Sequence, residues 1–193
     1  MIQSRCKPKF VQTIVASNCE KVLSNLLSKH VRPGYQSDGY YGTTTAAVFR
    51  QRPLDVIPEY FERGDDTTVL RRIRFSYDPN LTDLIGKINQ LFRCNILPSV
   101  IIIADLHLFM ASDSVNSLRL VGALLASCAD TACWLASNRS LGSTTTAMSD
   151  VIDKCSSSSR NNSSRGIYVI ISSEFVSPSM LRVMAMYSSV EEL

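Results

Sequence analysis

The sequence predicts an α/β fold built on a mostly parallel sheet with helices on both faces. Three observations carry that expectation. The first is Pro98-Ser-Val-Ile-Ile-Ile-Ala-Asp105-Leu106, an apolar, β-branched run closed by one acid, which reads as a strand buried on both faces. The second is the alternation of strand-like and helix-like segments through the first two thirds of the chain, the order that produces parallel pairing. The third is that the helical segments carry one apolar stripe each and so have one face to lay on a sheet.

In chain order, Phe10 to Ala16 alternates and reads as a strand. Asn18 is placed to cap a helix from Cys19 to about His30, with Val22, Leu23, Leu26 and Leu27 on one face. Arg32 to Gly39 is rich in turn residues and reads as a loop. Thr44 to Phe49 is a second strand, closed by the turn at Arg52-Pro-Leu54. Val69 to Tyr77 is a third, with Ile73 and Phe75 inward and its arginines mostly outward. Asp78-Pro-Asn80 stops it, and a helix follows from about Leu81 to Phe92, striped by Leu84, Ile85, Ile88, Leu91 and Phe92.

After the buried run, Ser114 begins a long helix through Ala129, and Ala132 to Ser137 reads as a short apolar strand ending in Ser137-Asn138. A short helix, Ala147 to Cys155, precedes residues 156–165, a polar low-complexity stretch expected to form a disordered loop. Ile167 to Ser172 and Met180 to Tyr187 read as two terminal strands.

At 193 residues the chain suits one domain, 1–193, able to bury a substantial core. A hydrophobic fraction of 45% with 19% charged residues fits a soluble globular protein. The net charge of +3 is too small by itself to declare a nucleic-acid binder. Locally, Arg71, Arg72 and Arg74 cluster, as do Arg50 and Arg52, and the first three are candidate DNA contacts beside a solvated-strand-end reading. Met1 to Lys9 has no apolar core of the kind a signal peptide needs, and Arg119 and Asp130 bracket the longest apolar stretch, short of the ~18 uninterrupted residues of a membrane span. No membrane partner is expected. The six cysteines include no C-x-x-C pair, and Cys128 and Cys133 have no histidine nearby, so neither metal nor disulfide is expected. His30 and His107 lack a serine or cysteine partner at recognisable spacing, which argues against a hydrolase, and Trp134 and Phe109 read as core residues.

Phe49-Arg-Gln-Arg-Pro-Leu54, Leu70-Arg-Arg-Ile-Arg-Phe-Ser-Tyr77 and Pro98 to Leu106, taken in order, resemble the divergent paralogues of the eukaryotic RecA-type recombinase. The similarity is to the ATPase-like subunits of the metazoan Shu complex and to the nematode partner subunits of a two-paralogue recombination complex. It covers roughly Thr44 to Asn138. It implies a RecA-like, P-loop NTPase-like sheet, a recombinase-paralogue or SWIM-domain protein as obligate partner, a strand-exchange recombinase beyond it, single-stranded DNA reached through the complex, and a nuclear location. By the same resemblance Asp105 stands for the Mg²⁺-holding acid, one residue later relative to Pro98-Ser99 than in that family, and Ser137-Asn138 stands where a polar residue senses the γ-phosphate.

The phosphate loop would map to Ala16-Ser-Asn-Cys-Glu-Lys21-Val22. Lys21 is then the candidate phosphate lysine, but Glu20 replaces glycine and Val22 replaces the hydroxyl that ligands Mg²⁺. This degenerate loop implies no cofactor and a non-catalytic subunit in homologous recombination and DNA repair. A working ATPase using Lys21 and Asp105, and an unrelated α/β protein-binding module, stay open as alternatives. Asp105 itself is open between metal binding and an ordinary strand-end acid bonded to the next helix. The partner-facing candidates are Asp105, His107, Phe109 and Met110, and Arg160 and Arg165 join the DNA-contact candidates.

Overall fold

A computed structural model describes residues 11–30, 45–54, 71–94, 97–110, 112, 114–142 and 168–192. Six strands form one sheet: β1 (Val11–Val15), β2 (Ala46–Arg50), β3 (Ile73–Tyr77), β4 (Val100–Ile103), β5 (Tyr168–Ser173) and β6 (Ser189–Glu192). Among the described residues four α-helices accompany them: α1 (Cys19–His30), α2 (Leu81–Ile88), α3 (Val115–Gly142) and α4 (Pro178–Tyr187). The strand order is β3-β2-β4-β5-β1-β6, and all five pairings are parallel. Ala46 of β2 lies opposite both Ile73 and Val100, and Val169 of β5 opposite both Ile101 and Val11.

The register sorts the central strands onto two cores. Ile101 and Ile103 of β4 pack with α2, α3 and α4, through Leu84, Ile88, Leu124, Leu125 and Met184 among others. Val100 and Ile102, one residue out of phase, pack with Val22, Leu23, Leu26 and Leu27 of α1 on the opposite face. Residues 100–103 are at most 1% exposed. This is why the apolar run does not alternate: a central parallel strand has no solvent side.

Several segments form as their sequences dictate. Asn18 Oδ1 accepts the Lys21 N–H at 2.9 Å and starts α1, and Asn80 Oδ1 accepts the Asp83 N–H at 2.9 Å and starts α2. Three differ from expectation, one in length and two in kind. The α2 helix ends at Ile88, and a separate 3₁₀ turn, Leu91–Arg93, follows. Leu91 stays in the core, but Phe92 is 47% exposed, with its ring edge-on to Trp134 at 5.9 Å. Trp134 is itself 41% exposed and not a core residue.

The expected strand Ala132 to Ser137 is instead the continuation of α3, a helix of 28 residues. Val121, Leu124, Leu125, Cys128, Ala132 and Leu135 are all buried at three- and four-residue spacing, so one helical stripe runs unbroken past Asp130. From Val115 to Ser137 this helix is long and apolar enough to cross a membrane by length and composition, yet its stripe lies on the core shared with α2, α4 and the sheet. The last difference is Met180 to Tyr187, which is helical. Ser177 caps α4 by accepting the Met180 N–H at 3.2 Å, Pro178 holds its first position, and a strand, β6, forms only after it. The expected loop at Arg32 to Gly39, the helix Ala147 to Cys155 and the 156–165 stretch lie outside the described residues.

Candidate functional site

Parallel strands bring their carboxyl ends to one edge, where chain connections diverge to the two faces and open α/β sheets hold ligands. The chain leaves β1 for α1 on one face, while β5 leads to α4 on the other. Asp105 lies at this edge, beyond the end of β4. It is the one described non-glycine residue with positive φ (59°, ψ 45°), a left-handed turn that aspartate tolerates better than most residues. That turn swings the chain from β4 into a 3₁₀ turn, Leu106–Phe109.

The carboxylate of Asp105, a residue 5% exposed, is held by Arg50 from the end of the adjacent β2. Arg50 Nε and Nη2 both donate to Asp105 Oδ2, at 2.9 and 2.7 Å. Arg50 is 4% exposed, so it is no solvated strand end, and the partner of Asp105 comes from the neighbouring strand and not from the following helix. Arg50 Nη2 also lies 3.6 Å from Glu20 Oε1, on the first turn of α1. One guanidinium therefore sits between two carboxylates, and its Nη1 is buried without a hydrogen-bond partner among the described residues.

The link from β1 to α1 is three residues long, Ala16-Ser17-Asn18. The N–H of Lys21 is taken by the Asn18 side chain and so is not free for an anion, and the Lys21 side chain is exposed. Glu20 adds a negative charge where a phosphate would need the opposite. Cys19, the first residue of α1, is 8% exposed. Its thiol is pushed up to about 11, chiefly by burial and then by the charge of Asp105. A thiol at a helix start is ordinarily made more acidic, and here the carboxylate and desolvation prevail.

The other candidate residues fall in different places. His107 is tied to the segment after β5: its Nδ1 accepts the Glu174 N–H at 3.1 Å, its Nε2 lies 3.5 Å from Glu174 Oε2, and its ring leans on Phe175 at 5.0 Å. Phe109 is 7% exposed and belongs to the core, which leaves it little surface for a partner, whereas Met110 is half-buried at the core's margin. Arg71, Arg72 and Arg74 lie at the opposite, amino-terminal edge of the sheet. Arg160 and Arg165 lie outside the described residues.

Ser137 is part of α3, where its hydroxyl donates to the Cys133 carbonyl at 2.9 Å, and Asn138 is helical too. The polar strand end between β4 and β1 is Ser172-Ser173 of β5, both fully buried. Sequence reasoning missed Arg50 as a site residue. Ala46-Ala47-Val48-Phe49 is apolar on both faces and so marks an inner strand, but it does not say which way the arginine at its end turns. Scanned against models of known protein families and against curated proteins, the chain matches none.

Proposed function

We propose that the chain is a non-catalytic RecA-like paralogue, an obligate nuclear subunit in homologous recombination. It promotes assembly or stability of a strand-exchange recombinase on single-stranded DNA, acting through a recombinase-paralogue or SWIM-domain partner. The observation that supports the non-catalytic part is the Arg50–Asp105 pair. In a working phosphoryl-transfer site the strand-end acid faces Mg²⁺. Here both short contacts to Oδ2 come from Arg50, and separating such a buried pair costs about 3–5 kcal/mol. The three-residue β1–α1 link agrees with it, being too short to wrap a phosphate in backbone N–H groups. The choice of partner and of DNA metabolism rests on the resemblance of Phe49 to Leu54, Leu70 to Tyr77 and Pro98 to Leu106.

Purified chain with Mg²⁺ and ATP tests the first part, and co-expression tests the second. The expected result is no release of phosphate and no rise in Tm with Mg²⁺–ATP, together with co-purification of a recombinase paralogue or SWIM-domain protein. Turnover that Lys21→Ala abolishes would overturn the reading in favour of an ATPase with an atypical phosphate loop. Absence of nucleotide binding together with failure to retain either class of partner would favour an unrelated α/β binding module.

A further inference from the structure

The amino-terminal edge of the sheet holds a concavity, at the opposite end of the strands from Asp105. Ile73 and Phe75 of β3 pack with the α1 core, so Arg72, Arg74 and Ser76 face the other way, toward α2. Lys87 of α2 confirms the side by donating to Ser76 Oγ at 2.8 Å. Arg72 and Arg74 thus stand on one face, about 6.6 Å apart along the strand. With Arg71 they line a pocket whose remaining wall includes Thr45, Ala47, Leu91, Cys94 and Pro98.

The backbone and hydroxyl groups around this pocket are already engaged. The Thr45 carbonyl accepts the N–H groups of Ser99 and Val100 at 2.7 and 3.3 Å, and the Arg72 carbonyl accepts the Ala46 N–H at 2.9 Å. The Thr45 hydroxyl donates to the Leu97 carbonyl at 3.0 Å. The polar groups that the pocket leaves for a ligand are guanidinium, set beside a larger share of apolar wall. None of the three arginines has an acidic partner among the described residues.

We propose that this pocket binds phosphate groups. One carboxylate saturates the fork of a single guanidinium, whereas a phosphate has the charge and the oxygens to engage two or three at once. Among the described residues no aromatic side chain lines the pocket, and the wall they form offers charge to a phosphate and no stack to a base. Two sources present that chemistry, a free phosphate compound and the successive phosphates of an extended nucleic-acid strand, whose spacing Arg72 and Arg74 are suited to follow. The site lies on a different edge from Arg50 and Asp105 and does not depend on the recombinase reading.

The intact chain and a variant carrying Arg71→Gln, Arg72→Gln and Arg74→Gln, which keeps the apolar stems, distinguish the sources. Arg182→Gln on α4 serves as the control for loss of a surface charge elsewhere and matches the single change Arg74→Gln in charge. Binding of labelled oligothymidylate across a salt series reads the strand, and the rise of Tm with pyrophosphate reads the free compound. If a strand is the ligand, the slope of log K against log salt becomes shallower by about 2 in the triple variant, at about 0.7 per phosphate contact, and is unchanged in the control. If a free phosphate compound is the ligand, pyrophosphate raises the Tm of the wild type but not of the triple variant, and oligothymidylate binding is the same in both. Should the triple variant fail to fold, the exposed single change Arg74→Gln is read instead, with a slope change of about 0.7. Oligothymidylate and pyrophosphate binding both indifferent to the substitutions, or absent from the wild type, would overturn the proposal.

Discussion

Asp105 was legible as a candidate because an acid closing a doubly buried strand has few neighbours to choose from. Its partner was not. Nothing local in Phe49-Arg50-Gln51 says whether the arginine turns to water or inward, and the answer depends on β2 pairing with β4, a contact between residues 55 apart. The same cluster decides the behaviour of the nearest thiol. Cys19 is pushed up to about 11 from 9.0 and Cys128, fully buried, to about 12, while Cys133 is exposed. Alkylation of the native chain near pH 8, mapped by mass spectrometry, should therefore modify Cys133 and spare Cys19 and Cys128. The linkage has a definite sign. The folded state keeps protons that the unfolded thiols release above pH 9, so stability should fall as pH rises from about 9 toward 11 and 12. A melting temperature constant from pH 8 to 10.5, or rapid labelling of Cys19 in the native state, would contradict this arrangement.

Helices α1 and α2 were legible from cap and stripe together, while α3 and α4 show how a short apolar window misleads. Ala132 to Ser137 is as apolar as a strand and follows Asp130, an acid that reads as a break. The longer window resolves it, because Cys128, Ala132 and Leu135 continue the spacing set by Val121 and Leu124. For Met180 to Tyr187 the missed signal was Ser177-Pro178, a cap followed by the residue best suited to a helix's first position. A proline in the interior of α3 separates the two readings of its second half. Ala132→Pro removes a helical N–H and crowds the preceding turn, so it should destabilise the fold by about 3 kcal/mol or more and reduce far-ultraviolet helical signal. Urea unfolding midpoints and circular dichroism check both. A small loss of stability with unchanged helical signal would point to a helix that ends near Ala129.

Alternation of strands and helices was enough to announce a parallel sheet, but strand order is a property of the whole molecule that local pattern does not encode. The chain crosses from β1 past two neighbours to β2, works outward to β3, and returns through β4 and β5 to finish beside its own start. The consequence is that the first and last described strands are partners, with Gln12 opposite Ser189 and Val15 opposite Glu192. A buried hydrogen bond lies at the same join, between Thr13 Oγ1 and Ser188 Oγ at 2.8 Å, and Ser188 Oγ also contacts the Met184 carbonyl at 3.0 Å. Removing residues 188–193 would leave the Thr13 hydroxyl, fully buried in the intact chain, without that partner, at about 1–3 kcal/mol. It would also turn β1 from an inner strand into an edge with a free row of N–H and C=O groups. The truncated chain should therefore melt at a lower temperature and self-associate at concentrations where the intact chain does not, as read by size-exclusion chromatography with light scattering. Because the amino-terminal arginine edge and the Arg50–Asp105 pair lie on other strands, phosphate binding by any truncated protein that stays monomeric should persist. A truncated chain as stable and as monodisperse as the intact one would mean that β6 does not close this side of the sheet in solution.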